Sequence, residues 1–174
     1  AFKRGFLFGF GMFAAGVSWV YIAMHVFGHM STPLAVVFTL LLVAYMSLFP
    51  GMAAYLSRRL CKPERKLAAL FILASFWTLM EWWRAWLFTG FPWLLVGYSQ
   101  TNVSLANYAA LVGVYGVSWL CVWIAALLAF LVGDSRWREK SFVTSIITVV
   151  AALLALPVML VINSNDYWFV NELL

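Results

Sequence analysis

Hydrophobic residues in this chain come in long unbroken runs, not at every second position or along one helical stripe. Five runs reach the roughly 20 residues that a membrane-crossing helix requires: 5–24, 34–56, 67–89, 108–132 and 142–162. A helix on the surface of a water-soluble domain would break such runs with a polar face every two or three residues. Turn-forming residues fall between the runs, at Gly28 and Pro33, Pro63, Gly90 and Pro92, and Gly133 to Ser135. The pattern predicts an all-α fold: a polytopic transmembrane helix bundle of about five spans over residues 1–162, followed by a tail over 163–174. No internal repeat or low-complexity tract is visible.

Composition narrows the function classes. Of 174 residues 66% are hydrophobic and 10% charged, against about 25% charged in a soluble domain. Too few polar side chains remain to cover a water-facing surface, which excludes a soluble globular enzyme, a nucleic-acid-binding domain and a disordered tail. Two cysteines exclude a disulfide scaffold.

The net charge of +5 acquires its meaning from placement. Lys3 and Arg4 precede the first run; Arg58, Arg59, Lys62, Arg65 and Lys66 fill the second connection; Arg136, Arg138 and Lys140 fill the fourth. Arg84 is the exception. Basic residues mark the cytoplasmic side, so the N-terminus is expected in the cytoplasm and the tail, after an odd number of spans, outside it. The charge is then topogenic and calls for no nucleic acid. The chain begins without Met and lacks the short apolar region and cleavage site of a signal peptide. An internal piece of a longer membrane protein is expected.

Few residues could carry chemistry. Glu81 and Arg84 lie about 21–26 Å along the third span, near its outer end, three apart and able to pair. Ionisable groups in a span are costly and face protein or a wet cavity; holding a polar head group, bracing the next loop and a purely structural ion pair all remain open. The following stretch, 89–100, is broken by Gly and Pro yet apolar and aromatic. Such backbone at membrane depth must be buried or line a cavity, which makes Phe91, Pro92, Trp93, Tyr98, Ser99 and Gln100 the candidate lipid-facing residues, with an interfacial anchor as the plain alternative. His25 and His29 have a metal-ligand spacing but no acidic or cysteine partner nearby, and Gly28 between them points to a helix end; no metal and no cofactor is expected. Cys61 lies in a basic connection without a base, Cys121 within an apolar span, and neither reads as a nucleophile. Gly5, Gly9, Gly11, Gly16, Gly113 and Gly116 are expected to permit close helix approach.

The residues carry a family resemblance. The stretch 8–21, with Gly9, Gly11, Gly16 and Trp19, resembles a span of the bacterial apolipoprotein N-acyltransferases. So do Glu81, Trp82, Trp83, Arg84, Ala85 and Trp86, then Thr89, Gly90, Phe91, Pro92 and Trp93, then Gly97, Tyr98, Ser99 and Gln100, and finally 111–116. The resemblance runs to about Pro157. It implies eight spans in the plasma (inner) membrane of a bacterium, with a nitrilase-like domain inserted before the last. It also implies acyl transfer from a phospholipid donor to the N-terminal diacylglyceryl cysteine of a lipoprotein acceptor. The Glu, Lys and Cys that perform this transfer would lie in the nitrilase-like domain, so no catalytic residue is expected in this chain, which alone would be inactive. Ser164, Asn165, Asp166, Trp168 and Phe169 are similar to a motif late in that domain, although a polar-aromatic exit from a span would look the same. On this reading Phe91, Pro92, Trp93, Tyr98, Ser99 and Gln100 floor an acyl-binding cavity, and Glu81 and Arg84 support it. A non-catalytic scaffold or partner subunit is the alternative. A transporter, which expects polar groups near mid-bilayer, fits less well.

Overall fold

The computed structural model describes residues 1–61 and 66–133, with Val150, Ala151 and Ala155. Apart from those three, the expected span over 142–162, the basic residues Arg136, Arg138 and Lys140, and the tail from 163 lie outside the described residues. The described chain is helical, with no strand, and it divides into two units, Ala1–Leu95 and Val96–Leu174.

The first unit is organised around one long helix. Its helices are α1 (Phe2–Gly16), α2 (Trp19–Ile22), α3 (Thr32–Leu60) and α4 (Lys66–Arg84). Ser31 is extended and Pro33 occupies the first turn of α3, where a missing N–H is harmless. The helix runs through Pro50 and ends with Arg58 and Arg59 in its last turn, a placement favourable to the helix dipole. Its 29 residues give it a length of about 43 Å, more than a bilayer core. One face of α3 is exposed and apolar, including Leu34, Val37, Phe38 and Leu41. Three of its hydroxyls are satisfied inside the helix: Thr39 donates to the Ala35 carbonyl at 2.8 Å, Ser47 to Val43 and Ser57 to Ala53, both at 2.6 Å. A spanning helix needs that local satisfaction, because hydrocarbon offers no partner.

The first expected span is not straight. After α1 the chain turns at Val17 and Ser18, continues as α2 and a π-helical turn over Ala23–Phe27, and bends by 50° overall. The bend keeps Val17 fully buried against Phe13, Val20, Val43 and Met46, the core shared by α1, α2 and α3. Glycine makes the α1–α3 approach possible. A methyl group on Gly5 would stand 2.6 Å from the Pro50 carbonyl, and one on Gly9 would stand 2.8 Å from the Pro50 ring. Gly11, expected to join this packing, has nothing within 4 Å: it lies two positions on from Gly9 and so off the packed face.

On its other side α3 packs against α4, through Phe49, Ala53 and Met80. The third expected span also ends early, at Arg84 in place of residue 89. Phe88 and Thr89 are left-handed, with φ of 52° and 74°, as is Gly90 at 79°, so the helix cannot continue through them. A side chain at Gly90 would lie 1.9 Å from the Ala85 carbonyl.

The second unit begins with two tight 3-10 turns, Val96–Gln100 and Ser104–Tyr108, and continues as α5 (Ala109–Gly133). Gly113 does not serve close packing: it meets nothing within 4 Å and its φ of 66° kinks α5. Among the described residues, α3 and the stretch Leu105–Phe130 are each long and apolar enough to cross a membrane, and the bent Phe2–Gly16 and Trp19–Phe27 pair makes a third. α4 (19 residues) is not among them.

Candidate functional site

The last turns of α4 carry the unusual chemistry. Trp77, Glu81 and Arg84 recur at helical spacing and share one face. Glu81 is 5% exposed and Arg84 2%, the largest of the fully buried side chains. The Trp77 indole N–H donates to Glu81 Oε1 at 3.0 Å. The Arg84 guanidinium stands over the Phe13 ring, 5.0 Å from its centroid, a favourable seat for a cation in an apolar place. Its Nη1 donates to two backbone carbonyls of the following loop, Phe91 at 3.0 Å and Trp93 at 2.6 Å. The Phe91 N–H returns a bond to the Arg84 carbonyl at 3.0 Å. Arg84 thus holds the loop by side chain and backbone together. Hydrogen bonds from a charged donor are worth about 1.5–3 kcal/mol each. A void of about 10 Å³ lies between Glu81, Arg84, Trp77 and neighbouring apolar side chains, the room of a single water.

The loop is fixed on its other side as well. Trp93 meets Trp19 edge-on at 5.9 Å, and the Leu94 side chain occupies the space beside Gly16. Phe91 packs on the α1–α3 core, while Pro92 and Trp93 are exposed. Leu94 is left-handed, with φ 59°, so Phe88, Thr89 and Leu94 are three side-chain-bearing residues held in a disfavoured conformation. Such strain persists where surrounding contacts over-determine the backbone. Beside the loop an open groove of about 360 Å³ runs between Leu42, Tyr45 and Met46 of α3 and residues 87–91. That volume is at the low end for small-molecule sites. Tyr45 forms part of its wall, with its ring 6.0 Å from Phe88, and its buried hydroxyl has no hydrogen-bond partner among the described residues.

The remaining candidates sit in the second unit. Tyr98 and Ser99 are exposed; Ser99 Oγ donates to the Val96 carbonyl at 2.7 Å and accepts from Gln100 Nε2 at 2.8 Å. Their turn is anchored by the Gly97 N–H, which donates to the buried Ser118 hydroxyl of α5 at 2.8 Å. A methyl group on Gly97 would stand 2.3 Å from the Val114 carbonyl. The structure therefore brings Phe91, Pro92 and Trp93 together with Arg84 in one unit, and Tyr98, Ser99 and Gln100 together in the other.

His25 lies in the π-helical turn, its ring stacked on Tyr21 and its Nδ1 2.8 Å from the Met30 carbonyl. His29 has left the helix, with φ 51°. Among the described residues no group of three His, Cys, Asp or Glu could hold a metal ion. Cys61 caps the end of α3, where burial pushes its thiol above the ordinary value against the pull of Arg58. Sequence reasoning did not reach Phe13, Tyr45, Trp77 or Ser118. Trp77 was findable, four residues before Glu81, and Tyr45 is a polar-tipped ring in an apolar run. Phe13 and Ser118 acquire their roles only through contacts far along the chain.

Residues 1–127 match the profile of the apolipoprotein N-acyltransferase N-terminal domain. The chain is 44% identical over 143 residues to the apolipoprotein N-acyltransferase of Coxiella burnetii, covering 80% of this chain and 29% of that protein. It is 39% identical over 150 residues to that of Methylococcus capsulatus, covering 85% and 30%. Against that of Nitrosomonas europaea it is 46% identical over 130 residues, covering 72% and 25%. The chain thus spans between a quarter and a third of the length of these relatives.

Proposed function

Since the chain belongs to the apolipoprotein N-acyltransferase family, we propose that it is the lipid-positioning membrane part of such an enzyme, which moves an acyl chain from phospholipid to the N-terminal diacylglyceryl cysteine of a lipoprotein. The observation that carries this reading is the buried Arg84, which fixes an apolar, aromatic loop beside a groove open along a spanning helix. An acyl donor lives in the bilayer and must reach the reacting groups sideways. A rigid loop can bind and orient such a chain, and the strain in residues 88–94 is the mark of a backbone held for a purpose other than its own stability.

Phe91, Pro92 and Trp93 floor an acyl-binding cavity that Glu81 and Arg84 support, and Tyr98, Ser99 and Gln100 offer lipid-contacting groups of their own in the second unit. Bond making and breaking fall to the Glu, Lys and Cys of the nitrilase-like domain that the family resemblance implies, and the residues named here position lipid without reacting. Cys61 and Cys121 take no part. The basic residues at the start of α1 and the end of α3 support a cytoplasmic N-terminus in the inner membrane, which sets the loop toward the outer leaflet. The test is photolabelling of the intact enzyme with a phospholipid bearing a diazirine on its acyl chain. Labels are expected in the peptide holding residues 87–93; labels confined to the exposed face of α3, with none on the loop, would overturn the reading.

A further inference from the structure

We propose that the end of the first unit where α1 begins and α3 finishes is a seat for one anionic phospholipid, separate from the loop site. Its phosphate is held by Lys3, Arg4, Arg58 and Arg59, and an acyl chain lies along the phenylalanines of α1. The helices run antiparallel there: Gly5 faces Pro50 and Ala54, Gly9 faces Ser47 and Pro50, and the Phe2 ring covers Gly51. That register brings Lys3 and Arg4 level with the last turns of α3, and Lys3, Arg4, Arg58 and Arg59 are all exposed. Gly51, Tyr55 and Arg59 are spaced four apart and stack on one face, the face that Phe2 touches. Arg59 is drawn back along it by a 2.8 Å hydrogen bond from Nη1 to the Tyr55 hydroxyl, so part of its freedom is already lost before a ligand arrives.

No described carboxylate offsets these four cations. Glu81 is the one acidic side chain among the described residues, and it lies about 22 Å up α4 from its start; Glu64 lies in the connection outside them. Gathered cations repel one another, and a phosphate among them removes the repulsion. Below the charges the surface turns apolar. Phe2, Phe6 and Phe10 stack on successive turns with centroids 6.1 and 6.3 Å apart, and Leu7 and Leu60 are exposed. Charge above an aromatic ladder fits an anionic headgroup carrying fatty chains, whereas a free phosphate would use only the upper half. Basic residues here also set membrane orientation, but that role is indifferent to the Arg59–Tyr55 bond and to the ladder.

Native mass spectrometry of the intact protein, stripped of lipid in detergent and titrated with phosphatidylglycerol, phosphatidylcholine or inorganic phosphate, tests this. Phosphatidylglycerol is expected to bind about tenfold tighter than phosphatidylcholine, with inorganic phosphate a poor competitor. R58Q/R59Q should abolish the preference, R58K/R59K should keep most of it, and Y55F should weaken it with no change of charge. Equal binding of the two lipids overturns the proposal, and full competition by inorganic phosphate assigns the cations to a free anion and overturns the lipid. Should R58Q/R59Q fail to insert, Y55F decides: an unchanged preference in Y55F leaves the cations a topogenic role alone.

Discussion

Arg84 is a cation placed where water barely reaches, and two carbonyls and one aromatic face are among the groups that hold it there. Replacing it by Met would leave the Phe91 and Trp93 carbonyls without their donor, at about 1–3 kcal/mol each. Arg84→Met is therefore expected to lower the melting temperature of the detergent-solubilised protein and to expose the loop to proteases. Arg84→Lys should recover only part of the loss, because an ammonium lacks the fork that spans two acceptors. A variant with Met that melts and resists proteolysis like the unaltered protein would show that the loop is held by Trp19, Gly16 and Phe91 alone. Cys61 gives a second expectation at this scale. Its thiol is held above the ordinary value by burial and pulled down by Arg58, so less thiolate is present at neutral pH. Maleimide labelling should be slow at pH 7, rise with pH beyond the ordinary thiol range, and slow further in Arg58→Gln. Half-maximal labelling below the range of a free thiol would contradict this.

Among elements, the short turn Val96–Gln100 depends on α5 through one polar contact and one absent side chain. Ser118→Ala leaves the Gly97 N–H unsatisfied, at about 1–3 kcal/mol. Gly97→Ala drives a methyl into the Val114 carbonyl, which is backbone and cannot step aside. Thermal unfolding should rank the variants with Gly97→Ala the less stable; the reverse order would mean that the turn shifts freely on α5. The elements also differ in how far the sequence discloses them. α3 is legible because an uninterrupted apolar run, opened by Ser31 and Pro33 and closed by Arg58 and Arg59, has one helical solution, and Pro50 bends no boundary. The bend at Val17 and Ser18 is legible only in part: Gly16 ends α1 and Ser18 bonds back to the Ala15 carbonyl, a pairing that bends helices, whereas the seating of Val17 against Val43 and Met46 rests on contacts far along the chain. The end of α4 is hidden as well: Ala85, Trp86, Leu87 and Phe88 are apolar, and nothing in the residue types of Phe88 and Thr89 announces the left-handed backbone that they adopt. The loop over 89–94 could be read as broken from Gly90 and Pro92, but its attachment to Arg84 rests on geometry that no spacing encodes.

For the whole molecule, the chain has long apolar helices, a buried charged clamp and an exposed aromatic loop, and it matches the N-terminal domain of a lipid-handling enzyme family over residues 1–127. On the function proposed above, lipid is held in the membrane part and the bond chemistry is done elsewhere in the enzyme. The division is most directly tested by transfer of a labelled acyl chain from phospholipid to a diacylglyceryl-cysteine peptide, using the intact enzyme with Trp93→Ala and Gln100→Ala at matched protein levels. Loss of a positioning contact predicts a fall in kcat/KM of about a hundredfold with folding preserved. Turnover equal to that of the unaltered enzyme in both variants would contradict the account.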